Sequence, residues 1–537
     1  MSGPTAACGD WFLTRDERGN PTSAIDAGRS VAWTEGNAVR VHVHGVEYFG
    51  RLLEVLGSLE RGDSLYLTDW EGQRDERLAG PGTEIGVLLE QLVRRGVELR
   101  GLVWRSHPQR ARFSEQDNAA LAREVNADGG ELLLDERVKR GGSHHQKVLI
   151  TQRAGDPDGA VAFEGGIDLC HGRRDDARHH GDEQAVELDP RYGSRPPWHD
   201  VQLEVAGPAV NDLLTSFWER WDDPTPLDHR NPVRVALRRL SRQPRHAKPL
   251  PSPAASPGAK GPHCVQVLRT YPSKRPPFPF APEGERSIAR VYLKAFRRAR
   301  RLVYIEDQYF WSVDAATALA RALAEHADLR VVVVVPRFPD HDGRFTGPAS
   351  MEARARARRI LDKAARDRVA FYDLENDAGT PIYVHAKLCV IDDVWMTVGS
   401  DNMNRRSWTH DSELSCAILD TTIDGREPVD PAGLGDRARR LPRDTRLRVW
   451  REHLGRTEGD DDDLVDPSAG FAAFARGAAA LDAWHTGGGK GPRPPGHARP
   501  HRSDAVGPVT RQWARVVVSS TLDPDGRPRS LRRSGDF

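Results

Sequence analysis

Two short segments carry the residue types that phosphoryl chemistry needs. The first reads Ser143-His144-His145-Gln146-Lys147-Val148-Leu149-Ile150, the second Val384-His385-Ala386-Lys387-Leu388-Cys389-Val390-Ile391-Asp392. In each, a histidine and a lysine stand two apart at the entry to an apolar stretch. Positions i and i+2 of a strand share a face, so imidazole and ammonium point the same way. A turn then leads to a second apolar stretch ending in small residues, Gly165-Gly166 and Gly399-Ser400, with Asp168 and Asn402 two positions further on. Attack on a phosphodiester needs a nucleophile, a proton donor for the leaving alcohol, and fixed positive charge. A neutral imidazole can attack and form a covalent phospho-enzyme, and a second, protonated one can act as the acid, worth roughly 10²–10⁴-fold. Lys147 and Lys387 supply the charge, and backbone N–H groups at the small residues are expected to help. One such pair arises easily by chance; its duplication points to two half-sites facing one pocket. The residues alone leave open which histidine attacks.

The elements that must position these groups read as alternating strands and helices. Ile85, Leu88, Leu89, Leu92 and Val93 mark a helical face closed by Gly96, followed by a strand over 97–104. Ile288, Val291, Tyr292, Ala295, Phe296 and Ala299 repeat the stripe after an N-cap expected at Ser287, and a strand over 302–305 follows. Helices over 315–326 and 351–365 then alternate with strands over 331–335 and 369–374, which argues for an α/β fold with largely buried mixed sheets. Residues 242–262 are rich in Pro and Gly and are expected to be a linker. The acidic run Asp460 to Asp463 lacks a ligand-spaced loop and is expected to be solvated. Trp198, Trp311, Trp408 and Phe310 beside the motifs fit either an apolar rim for lipid chains or plain core.

Composition narrows the classes. Lys+Arg and Asp+Glu are both 78, a net charge of +0, which lacks the footprint of a dedicated nucleic-acid binder. No stretch approaches the roughly 18 apolar residues of a membrane span. The N-terminus carries no secretory pattern, and five scattered cysteines suit neither a disulfide framework nor a zinc spacing. The expected location is the cytoplasm, with peripheral attachment to a membrane surface.

His385, Lys387 and Asp392 match in full the HxKxxxxD motif of the phospholipase D superfamily, which that family carries twice; the first copy has His145 and Lys147 but Gln152 in place of the aspartate. The resemblance extends through 165–175, Pro197-Trp198-His199-Asp200, Arg269-Thr270, 304–310, 399–407, Asp411-Ser412-Glu413 and Trp450-Arg451-Glu452-His453-Leu454. It implies two similar α/β domains with central mixed β-sheets, related by a pseudo-twofold around one active site: an N-terminal extension 1–39, catalytic halves 40–241 and 263–455 joined by the linker, and a partly irregular extension 456–537. It implies His145 as nucleophile, His385 as acid and then base, Asp200 and Glu413 as carboxylates orienting the two rings, and Lys147 and Lys387 on the phosphate. Gly166, Ser400 and Asn402 are expected at the substrate, Asp168 on a lysine or the backbone, and Asp392 and Gln152 in structural places, with weaker local bonding at Gln152. Glu306, Gln308 and Tyr309 are expected to brace the pocket. The implied activity is hydrolysis of a phosphatidylcholine-like glycerophospholipid to phosphatidic acid and an alcohol through phosphohistidine, without metal or cofactor, and with transphosphatidylation open. The rivals are a phosphatidyltransferase such as a cardiolipin synthase, a phosphodiesterase or nuclease on nucleic acid, and a scaffold that has lost activity. The partners are a phospholipid substrate and a peripheral membrane surface, with no nucleic acid; nothing in the sequence speaks to oligomeric state.

Overall fold

A computed structural model describes residues 4–106, 115–227, 236, 246–250, 255–340, 346–502 and 506–537. Parts of the expected linker, 242–245 and 251–254, lie outside the described residues. The strands of the first half are β1 (Thr34–Val43), β2 (Ser64–Asp69), β3 (Glu98–Trp104), β4 (Glu131–Asp135), β5 (Val148–Arg153), β6 (Asp156–Gly165), β7 (Trp198–His199) and β8 (Val201–Ala206). Those of the second half are β9 (His263–Tyr271), β10 (Glu285–Arg286), β11 (Leu302–Asp307), β12 (Arg330–Val334), β13 (Val369–Glu375), β14 (Pro381–Val384), β15 (Lys387–Ile391), β16 (Trp395–Gly399) and β17 (Glu413–Asp420), followed by β18 (Ala498–Pro500).

Hydrogen-bonded neighbours give the order β4-β3-β2-β5-β6-β8-β1 in one sheet. The other runs β13-β12-β11-β15-β16-β17-β9. Strand for strand these are the same sheet: three parallel strands at one side, antiparallel strands at the other. The expected mixed α/β architecture is therefore present, and its repeat is one of topology. Edge strands β1 and β9 pair antiparallel, so the sheets meet edge to edge.

The local reasons are plain in the sequence. Val331 to Val335 is fully buried because parallel strands are covered on both faces. Helix Ile85–Arg95 ends at Gly96, whose φ of 98° only glycine adopts without strain. Ser287 is the first residue of helix Ser287–Arg298 rather than its cap. Its hydroxyl instead accepts from the Arg269 N–H at 2.8 Å and donates to Glu285 at 2.8 Å, fixing the helix to β9.

One core contains inward residues of both sheets, such as Val205, Leu203, Val332 and Val390, together with Phe217, Trp221 and Trp450 from helices Ala209–Trp221 and Arg440–Leu454. Two outer cores lie beneath the helices on the far faces. Trp198, Trp311, Trp408 and Phe310 belong to the interior, at 3%, 7%, 0% and 1% exposure, which corrects the lipid-rim alternative. The C-terminal region also adds structure that the sequence did not signal: β18 extends the second sheet alongside β13.

Candidate active site

His145 and His385 sit at the ends of segments that leave their own sheets and dock on the opposite half. His144 bridges Ser412 in parallel, and the His145 N–H donates to the Ser412 carbonyl at 2.9 Å. In the same way β14 runs parallel to β7, and the His385 N–H donates to the His199 carbonyl at 2.8 Å. One residue beyond each docking carbonyl stands a carboxylate. Glu413 lies 2.8 Å from His145 Nδ1, and Asp200 lies 2.7 Å from His385 Nδ1. Each imidazole is thus oriented by the other half of the chain. With Nδ1–H donated to a carboxylate, Nε2 keeps its lone pair for the pocket.

The carboxylates are themselves held. Ser400 Oγ donates to Glu413 at 2.6 Å. Asp200 accepts from the Val201 N–H at 2.9 Å and from the Trp198 indole at 3.3 Å. Gly166 occupies the place equivalent to Ser400, and a Cβ there would come within 2.2 Å of Asp200 Oδ1. The expectation that Gly166 and Ser400 offer backbone N–H groups to substrate is corrected. Those groups donate to Val201 at 3.2 Å and to Leu414 at 2.9 Å, inside the sheets. What the two small residues provide is room and support for the carboxylates.

The lysines differ between halves. Lys147 forms a buried ion pair with Asp168 at 3.1 Å and donates to the His145 carbonyl. Despite burial, Lys147 and Arg173 hold the Asp168 carboxyl below its usual range, while burial and the Asp168 charge raise Asp69 beside it. Lys387 donates to the His385 carbonyl and to Gln308 Oε1 at 3.3 Å. Burial, with Lys147 adding to it, brings the Lys387 ammonium down to about 8. Burial and then Lys387 push the His385 imidazole down to about 3, so it is neutral in the free protein. Asn402 is buried three residues beyond the end of β16, with Oδ1 unpartnered.

A group that the sequence reading placed only inside a matched block joins the half-sites. The Arg173 guanidinium stacks 4.0 Å above Trp198, whose ring lies 5.0 Å from that of His385, and it reaches Asp168 at 3.8 Å. It completes a continuous path from Lys147 through Asp168 to His385. Its signal was a lone arginine five residues after Asp168, too common to single out. His144 is fully buried and held neutral by burial, away from this chemistry. Gln308 also donates to the Tyr383 hydroxyl at 2.7 Å and to Tyr309 at 3.1 Å.

The Gln152 departure has a structural counterpart. Asp392 closes its hairpin by accepting from the N–H groups of Arg300, Arg301 and Leu302, each at 2.8 Å, and burial raises it to about 6. In the first half Gln152 pairs with Ser64. The neighbouring Asp63 accepts from the amides of Glu60 and Ala154 and from the Arg153 guanidinium, each at 2.8 Å. A carboxylate thus stands at Asp63, just before the facing strand β2, so local bonding is not weakened as expected. Asp63→Ala is expected to cost about 1–3 kcal/mol by orphaning these donors, whereas Gln152→Ala, which removes none of these bonds, should cost under about 1 kcal/mol. Equal shifts of the denaturation midpoint for the two would contradict this.

A family profile described as phospholipase D matches residues 74–318, and one described as cardiolipin synthase, PLD-like domain, matches 292–425. Phospholipase D alpha 1 of Brassica oleracea var. capitata is 26% identical over 534 residues, covering 75% of this chain and 63% of the relative. Phospholipase D alpha 1 of Arabidopsis thaliana is 25% identical over 531 residues, with coverage of 75% and 63%. The chain therefore spans less than two thirds of the length of these relatives. The solved phosphatidylserine synthase of Haemophilus influenzae Rd KW20 shares the fold, with a TM-score of 0.50 at 15% identity over 71% of this chain and 82% of that one.

Proposed function

Because the chain belongs to the phospholipase D superfamily, we propose that it is a phospholipase D-type phosphodiesterase that cleaves phosphatidylcholine-like glycerophospholipids to phosphatidic acid and a free alcohol. The observation that carries the reading is the reciprocal pairing of His145 with Glu413 and His385 with Asp200, which makes one site out of two half-chains.

In the proposed reaction His145 Nε2 attacks phosphorus, and the bond from phosphorus to the head-group oxygen breaks. His385 gives that oxygen its proton. Next, His385 takes a proton from water, the water oxygen attacks phosphorus, and the N–P bond breaks. Lys147, Lys387 and Arg173 stabilise the added oxyanion charge. His385 is neutral in the free protein because of burial and Lys387. The phosphodiester anion offsets Lys387, so the imidazole takes up its proton together with the substrate.

An alcohol in place of water would give phosphatidyl transfer. That second reading is supported by the match to a cardiolipin synthase profile and by the fold shared with a phosphatidylserine synthase. No helix among the described residues is long and apolar enough to cross a membrane. Access to lipid is therefore proposed to occur from a membrane surface.

Head-group release from mixed phospholipid vesicles, with and without added primary alcohol, tests the reading. Phosphatidic acid plus free choline is expected, with a phosphatidyl-alcohol replacing part of it when alcohol is present. Product only with alcohol would favour the transferase, while DNA cleavage without lipid turnover would overturn the lipid assignment.

The pH dependence has a defined sign. Lys387, near 8 in the free protein, loses its charge as pH rises through that value, so kcat/KM should drop above about pH 8. Lys387→Arg cannot lose its charge in this range; it should lower the plateau and remove the break. A break that persists in the arginine variant would assign it elsewhere.

A further inference from the structure

Beneath the His385–Asp200 pair lies a group of buried side chains that the proposed reaction does not use. His44, His179, His199 and Glu452 come from four separate segments, and one potential ligand atom from each falls within 4.8 Å of the others. Glu452 lies 2.8 Å from His44 Nε2, 3.1 Å from His179 Nε2 and 3.5 Å from His199 Nδ1. Four ligands around a tetrahedral zinc stand about 3.3 Å apart, given zinc–ligand lengths of about 2.0–2.1 Å. The far nitrogens are also arranged as in a metal centre. His199 Nε2 meets Glu306 at 2.7 Å, and His179 Nδ1 meets the Trp198 carbonyl at 3.2 Å. Ligating histidines characteristically hold such acceptors on the second ring nitrogen. His44 and His179 both have positive φ, 72° and 53°, a left-handed backbone that non-glycine residues hold only where the surroundings impose it.

We propose that His44 Nε2, His179 Nε2, His199 Nδ1 and a Glu452 carboxylate oxygen bind one divalent metal ion of the zinc class as a structural centre. His199 Nδ1 stands 3.5 Å from Glu452 and has no hydrogen-bond partner, although its ring lies buried 5.9 Å from that of His179. A divalent ion would take up the lone pairs of three imidazoles that otherwise converge on one carboxylate. The centre would brace the chemistry from behind. The His199 carbonyl holds the His385 N–H, and the His44 N–H holds the Asp200 carbonyl at 2.9 Å.

The test uses the full chain without a polyhistidine tag, expressed with zinc or cobalt in the medium and passed over a chelating resin. One equivalent of metal per chain is expected by elemental analysis, with the visible absorption of tetrahedral Co²⁺ in the cobalt form. Both should be lost in His179→Gln and Glu452→Gln at unchanged circular dichroism. Glu306→Gln, which keeps every ligand, should weaken retention roughly 10–100-fold. A folded wild type without stoichiometric metal, or metal retained by both ligand variants, would overturn the proposal. Should the variants fail to fold, X-ray absorption on the wild type decides. A shell of three imidazoles and one oxygen supports the centre, and an all-oxygen or sulfur-containing shell overturns it.

Discussion

His145→Ala is expected to lose at least about 10⁴-fold in kcat with little change in stability or substrate affinity. The side chain is 16% exposed, and the backbone bond to Ser412 that docks its segment survives the substitution. Glu413 keeps its bond from Ser400. What disappears is the proposed nucleophile. His385→Ala should fall by a similar factor on a natural alcohol leaving group, for a different reason. A phosphodiester whose leaving group is already a stable anion needs no acid, so cleavage by His385→Ala should recover by orders of magnitude on that substrate. The covalent intermediate should then accumulate, because the base for the water step is missing. His145→Ala should recover nothing. Equal rescue of both variants would assign the two imidazoles the same role and contradict the proposed division.

The second large effect is expected at residues that never touch the phosphorus. Asp200→Asn places an amide where a carboxylate accepted the His385 Nδ1 proton. The favoured tautomer then carries its proton on Nε2 and loses the stabilisation of the imidazolium form. A loss of about 10²–10⁴ in kcat is expected, with KM nearly unchanged, and Glu413→Gln should do the same to His145. Gly166→Ala gives an independent check, since its methyl group would meet Asp200 Oδ1 at 2.2 Å and displace the carboxylate without altering any charge. Its kcat should fall alongside that of Asp200→Asn. Ser400→Ala, which removes one donor to Glu413, should cost only about 1–3 kcal/mol of the barrier. If Asp200→Asn and Asp200→Ala both retained wild-type kcat with unchanged pH profiles, the carboxylates would be merely structural.

The paired motifs were legible because the pattern occurs twice, each time leading into an apolar strand; the shared strand face is not how they are held, since His145 and Lys147 precede β5 and His385 precedes β15. The alternation of strands and helices was legible because Val331 to Val335 is the unbroken apolar run of a strand covered on both faces, while the Ile85–Arg95 stripe repeats at the helical period. Relations between distant strands were not. That Glu413 serves His145 while Asp200 serves His385 depends on which half each motif docks against, and no local pattern encodes that crossing. Gln152 looked like a defect because the eye follows one strand, while the compensating Asp63 lies on its neighbour. The three residues of β18 are too few to show a period. The tryptophans beside the motifs suited a rim as well as a core by composition, and only their burial in the folded chain decides the matter. The cluster of His44, His179, His199 and Glu452 joins residues up to 408 positions apart, so no ligand spacing announces it.

The central claim is that both halves act on one phosphorus atom and that His145 carries it between the two steps. Brief reaction with a phospholipid labelled at phosphorus, followed by an alkaline denaturing quench and peptide mapping, tests this most directly, since phosphohistidine survives alkali. Label is expected on His145 alone, increased in His385→Ala and absent from His145→Ala. Label on another residue, or an active His145→Ala with no adduct anywhere, would contradict it.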